Sequence, residues 1–124
     1  MMEQTIFSFT EEEEEWVNLL IGIGTKKNIA KIIVFLANIS EATSHSIERG
    51  IDMRQPEVST AIKYLTDRQW IKCREIPSER KGRPTKNYSL AVPVEEIMET
   101  LEKERTHEIN DTLCLIKDLR KNIS

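Results

Sequence analysis

Half of the 18 basic residues in this 124-residue chain fall within residues 54–86. They are Arg54, Lys63, Arg68, Lys72, Arg74, Arg80, Lys81, Arg83 and Lys86, set against four acids, Glu57, Asp67, Glu75 and Glu79, a local surplus of five positive charges in a chain whose net charge is −3. Guanidinium and ammonium groups grip phosphate oxygens. The pattern fits an anion-binding face, and a solvated surface with chance clustering is the competing reading. Other chemistry is poorly supplied. His45 and His107 stand alone, and Cys73 and Cys114 have no His or Cys at ligand spacing. No Gly-rich phosphate loop, nucleophile elbow or HExxH motif occurs, and the carboxylates Glu11 to Glu15 lie near no base or nucleophile. The expectation is therefore no catalytic residue, no metal, no cofactor and no enzymatic activity.

The elements that must position these residues follow from length and periodicity. A chain of this size makes one real core. Two isolated cysteines cannot build a disulfide framework, and no run of about 18 apolar residues is available to span a membrane. The acidic N-terminal stretch lacks the layout of a signal peptide, so a soluble cytoplasmic protein is expected.

Thr10-Glu11-Glu12-Glu13 reads as a capping box that starts a first helix. The acids that follow suit the positive end of the helix dipole. Trp16, Val17, Leu19, Leu20 and Ile23 supply its apolar face, and Gly22 and Gly24 end it. Thr25 is placed to cap a second helix with Ile29, Ile32, Ile33, Leu36 and Ile39 at helical spacing. Ser44 or Ser46 could cap a short helix to about Gly50, and Asp52 suits a left-handed turn. Pro56 fits the first turn of a further helix whose Val58, Ile62 and Leu65 share one face.

From Trp70 the period shortens. Residues 70–76 and 85–92 read as two strands joined by the polar, basic loop Pro77 to Pro84. Val94, Ile97, Met98 and Leu101, then Ile109, Leu113, Ile116, Leu119 and Ile123, describe a last helix of up to about 30 residues with a heptad hint and a potential break near Thr106. Its far half exceeds what so small a domain can bury, so it is expected to pack on another chain.

The order helix, helix, helix-turn-helix, basic hairpin, long helix resembles the winged helix-turn-helix transcriptional regulators of bacteria and archaea, broadly of the ArsR and MarR type. The resemblance covers about residues 25–92. It rests on Ile47, Ile51, Met53, Val58, Ile62, Leu65, Trp70-Ile71 and the wing segment KGRPTKNYSL, which looks particularly like archaeal members. Paired helix cysteines, frequent in metal-sensing ArsR-type proteins, are missing.

The resemblance implies a mainly α fold with a small β-hairpin: a winged helix-turn-helix domain over 1–92 and a dimerisation helix over 93–124. It implies a homodimeric, sequence-specific regulator of double-stranded DNA, whose recognition helix enters the major groove. Gln55, Pro56, Ser59, Thr60 and Lys63 would face the bases, with Arg54 and Tyr64 placed for phosphate. Arg80, Lys81, Arg83 and Lys86 would form the basic wing, and Ile109, Leu113, Ile116, Leu119 and Ile123 the dimer seam. The target sequence, the direction of regulation and any small-molecule effector are not legible. The rival reading is a winged-helix protein-interaction module that never touches DNA.

Overall fold

Eight elements alternate in the computed structural model, which describes residues 9–77, 82 and 84–123. Helices α1 (Glu11–Gly22) and α2 (Lys27–Asn38) come first, then the two-residue strand β1 (Ala42–Thr43), helices α3 (Ser44–Ile51) and α4 (Gln55–Asp67), strands β2 (Ile71–Ile76) and β3 (Thr85–Leu90), and helix α5 (Val94–Ile123). The chain divides between Val92 and Pro93 into two compact units. The fold is a winged helix-turn-helix with an additional N-terminal helix and a long C-terminal one.

Each start and stop has a local cause. At α1 the Thr10 hydroxyl accepts from the Glu13 N–H (3.1 Å) and the Glu13 carboxylate accepts from the Thr10 N–H (2.9 Å), the reciprocal box expected from the spacing. Its apolar face behaves differently from expectation. Only Val17 and Leu20 are buried, while Trp16, Leu19 and Ile23 stay exposed. At α2 the capping residue is Lys26 rather than Thr25, with no side chain accepting from the first turn. At α3 it is Thr43 rather than either serine: its hydroxyl accepts from the Ser46 N–H at 3.1 Å.

Asp52 closes α3 in the left-handed conformation (φ 54°, ψ 54°), as its residue type suggested. The end of α4 is a Schellman arrangement: Gln69 N–H donates to Thr66 O (2.9 Å) and Trp70 N–H to Leu65 O (3.0 Å). It forces Gln69 to φ +65°, a conformation glycine adopts at lower cost.

The core of the first unit forms around α2, where Ile29, Ala30, Ile32, Ile33, Val34, Phe35 and Leu36 are all buried. Ile47 and Ile51 from α3, Val58, Ala61, Ile62 and Leu65 from α4, and Ala42, Met53, Trp70 and Ile71 join it, together with Val17 and Leu20 of α1. Leu65 and Val58 are fully buried, so truncating Leu65 to alanine costs about 2–5 kcal/mol.

The sheet has three strands in the order β1-β3-β2, all antiparallel. Ala42 and Thr43 pair with Tyr88 and Asn87, which adds a third strand to the hairpin expected from sequence. β2 and β3 pair from Ile71↔Leu90 to Ile76↔Thr85. At the base of the hairpin Ala91 N–H donates to Trp70 O at 2.7 Å.

The second unit is α5, a continuous 30-residue helix without a break at Thr106. Acids Glu95 and Glu96 stand in its first turn and Arg120 and Lys121 in its last, both favourable to the helix dipole. Ile97 and Leu101 are its buried residues. No helix among the described residues is long and apolar enough to cross a membrane.

Candidate nucleic-acid interface

Helix α4 separates its side chains cleanly. Val58, Ala61, Ile62 and Leu65 are buried, and Gln55, Pro56, Ser59, Thr60, Lys63 and Tyr64 are exposed. The separation follows from the 3.6-residue period. The first four drive α4 onto the core, and the other side is left with short polar groups and a lysine. At its N-terminus the Arg54 N–H donates to the Glu57 carboxylate (3.1 Å), which fixes the start of the helix and leaves the exposed Arg54 side chain beside it.

The polar groups are engaged by weak, exchangeable partners. Gln55 Nε2 donates to Ser59 Oγ at 2.9 Å. The amide keeps a second N–H and its Oε1, the two groups that a bidentate pairing with adenine uses. Thr60 Oγ1 donates to the Pro56 carbonyl at 3.0 Å. Lys63 Nζ lies 3.3 Å from Asp67 Oδ2, with both side chains exposed. Such an i,i+4 surface pair is worth about 0.3–0.5 kcal/mol, less than one good base contact.

Tyr64 is held from a side that the sequence did not announce. Arg68 Nη1 donates to Tyr64 Oη at 3.2 Å, and the Arg68 guanidinium lies 4.0 Å from the centre of the Trp70 ring and 5.7 Å from that of Tyr64. The i,i+4 spacing of Tyr64 and Arg68 was the available signal. A guanidinium over an indole face gains cation–π attraction, so Arg68 anchors the C-terminal end of the exposed face.

The hairpin presents two unlike faces. Cys73 and Tyr88 are directly paired on one, where burial first and the Cys73 side chain second push the Tyr88 phenol above its ordinary range. Lys72 and Arg74 lie on the other. Arg74 makes a two-bond ion pair with Glu41, the residue before β1. That pair holds the Glu41 carboxyl below its usual range and raises Arg74. Lys86 stands opposite Glu75 in the register and is exposed. Arg80, Lys81 and Arg83 lie outside the described residues. Among the described residues no group of three or more His, Cys, Asp or Glu could hold a metal.

In the second unit Ile109, Leu113, Ile116, Leu119 and Ile123 are all exposed, the last by 75%. Leu115, absent from the heptad reading, is 67% exposed and widens the stripe.

No protein-family model matches the chain, and no curated protein matches it. Solved structures share its fold. A possible transcriptional regulator from Methanosarcina mazei Go1 superposes with a TM-score of 0.61 at 11% identity, over 87% of each chain. A transcriptional regulator homologue from Pyrococcus horikoshii OT3 superposes with a TM-score of 0.52 at 17% identity, over 82% of this chain and 97% of that one. At these identities the likeness speaks to the fold.

Proposed function

We propose that this chain is a sequence-specific DNA-binding transcription regulator that reads double-stranded DNA with α4 in the major groove. The observation that carries the reading is the two-sided character of α4: a buried stripe docks it, and the opposite side offers Gln55, Pro56, Ser59, Thr60 and Lys63 to solvent. The major groove admits one α-helix, and these residue types match its donor and acceptor edges. Arg54 and Tyr64 flank that side and take phosphates. The wing residues Arg80, Lys81, Arg83 and Lys86 follow the adjacent backbone, where positive charge adds affinity without sequence preference. The two regulators of like fold support the same class of function.

The regulator acts as a homodimer. The exposed residues Ile109, Leu113, Ile116, Leu119 and Ile123 form an apolar stripe on α5 that a second copy covers. Two α4 helices related by that symmetry read half-sites about one helical turn, or a multiple, apart. The reading needs no cofactor, no metal and no enzymatic step, and it places the protein in the cytoplasm with the DNA it regulates. Retardation of mixed-sequence duplex DNA by the purified protein tests it. Salt-sensitive retention supports DNA binding. Salt-insensitive capture of protein partners without DNA retention would favour the interaction-module reading instead.

A further inference from the structure

One flank of α4 opens into a groove of about 460 Å³, lined on the α4 side by Pro56, Glu57, Thr60 and Ala61 and on the α2 side by Lys26, Lys27, Asn28 and Ile29. Pro56 and Thr60 therefore belong both to the groove and to the face assigned to base reading. Lys26 and Lys27 are exposed, and among the described residues neither has an ion-pair partner, unlike Lys63. The acid in the groove, Glu57, has one carboxylate oxygen engaged by the Arg54 N–H. Further along the same flank, at i+4 and i+8 from Thr60, come Tyr64 and Arg68, joined by their hydrogen bond.

A helix seated in the major groove has a phosphate backbone on each side of it, because the groove is about 12 Å wide and a helix with side chains about 10–12 Å across. We infer that Lys26 and Lys27 form a backbone clamp distinct from the wing: they hold phosphates of the strand lying along the Thr60 flank of α4. The partner is duplex DNA, so this inference rests on the proposed function. The lysines supply charge and position α4, and they carry no base preference. Local charge composition did not single out these lysines, because residues 25–53 carry four bases against three acids.

The test is a salt titration of duplex binding by the full chain, comparing wild type with Lys26→Gln/Lys27→Gln. Loss of two phosphate contacts lowers the slope of log K against log salt by about 1.8, at about 0.9 per contact, and weakens all sequences by the same factor. Lys31→Gln removes the same charge one turn on, at a residue that does not line this groove, and leaves the slope unchanged. Glu57→Gln keeps a side-chain oxygen for the Arg54 N–H, removes the negative charge from the groove and tightens binding at low salt. Circular dichroism checks that each variant is folded. An unchanged slope in the double variant, with wild type still binding DNA, would overturn the clamp alone. So would an equal loss from Lys31→Gln, since the effect would then be net charge. Failure of wild type to bind any duplex would remove the functional reading and the clamp together.

Discussion

Glu41 and Arg74 meet across the central strand of the sheet. Arg74 Nε donates to Glu41 Oε2 at 2.9 Å and Nη2 to Oε1 at 2.8 Å, so the residue before β1 is tied to outer strand β2 over β3. The parallel two-bond geometry suits the planar guanidinium and fixes direction as well as distance. On the proposed reading, in which the wing follows a phosphate backbone, such a tie at its root sets the angle of approach.

The pair has a pH signature. The carboxyl of Glu41 is held down first by its hydrogen bond to Arg74 and is further lowered by the charges of Arg74 and Lys72. A carboxyl depressed in the folded state contributes stability above its ordinary value and loses it as pH falls through the depressed one. Arg74→Gln should therefore move the titration midpoint of Glu41 upward toward the ordinary glutamate range. Carboxyl carbon shifts followed by NMR between neutral and acid pH measure this. A midpoint identical in wild type and variant would mean that the pair does not persist in solution.

Gly50 sits inside α3, where glycine costs roughly 1 kcal/mol relative to alanine on propensity alone. A Cβ at this position would lie 2.5 Å from Cε1 of the Phe35 ring. Phe35 is itself buried on α2, so its ring can yield only by disturbing the core around it. Gly50→Ala should therefore destabilise the fold by about 1–3 kcal/mol despite its better helix propensity. Thermal unfolding measures the change, and a rise in Tm would show that the ring moves aside freely.

Gln69 offers the opposite case. Its φ of +65° is required by the Schellman closure of α4. Gln69→Gly removes the steric cost of that conformation and should stabilise by about 0.5–1 kcal/mol, after the larger unfolded-state entropy of glycine is subtracted. Denaturant unfolding reads the shift in midpoint, and a loss of stability would contradict the backbone argument.

The α5 stripe predicts concentration-dependent association. Leu113→Glu with Ile116→Glu puts two charges on the exposed apolar stripe and should yield a monomer by sedimentation, as should removal of residues 108–124. A wild-type protein that sediments as a monomer at high concentration would remove the dimer from the account.

Base reading and backbone gripping have separable signatures. Lys63→Ala or Gln55→Ala should change discrimination between sites by about 1–3 kcal/mol per lost base contact. Lys81→Ala with Arg83→Ala should weaken every sequence alike and flatten the salt slope by about 0.9 per phosphate contact. Competition between related duplexes at fixed salt separates the two. If the α4 variants weakened all sequences equally, α4 would not be the base reader.

Much of the fold was legible because it rests on local rules. The Thr10–Glu13 box, the buried stripe of α2, the left-handed Asp52 and the Val58/Ile62/Leu65 face follow from residue type and spacing. What escaped depends on tertiary contact. β1 is two residues long, too short to show any period, and exists because β3 offers it an edge. Thr43 caps α3 because its backbone is extended by that pairing, a preference that neither Ser44 nor Ser46 reveals in sequence. Gln69 is left-handed against its residue preference because the helix end is fixed by Leu65 and Trp70. At the candidate interface the α4 face could be named residue by residue. The Tyr64–Arg68 contact was signalled by its i,i+4 spacing, whereas the groove shared by Lys26 and Lys27 with Thr60 joins segments that sequence spacing alone does not bring together.

Selection of bound sites from random duplex DNA tests the central claim most directly, because it reports binding, base preference and symmetry in one measurement. The account predicts enrichment of two related half-sites in inverted orientation, their centres about 10–10.5 base pairs or a multiple apart. Retention of no DNA, or retention without any enriched sequence, would contradict it.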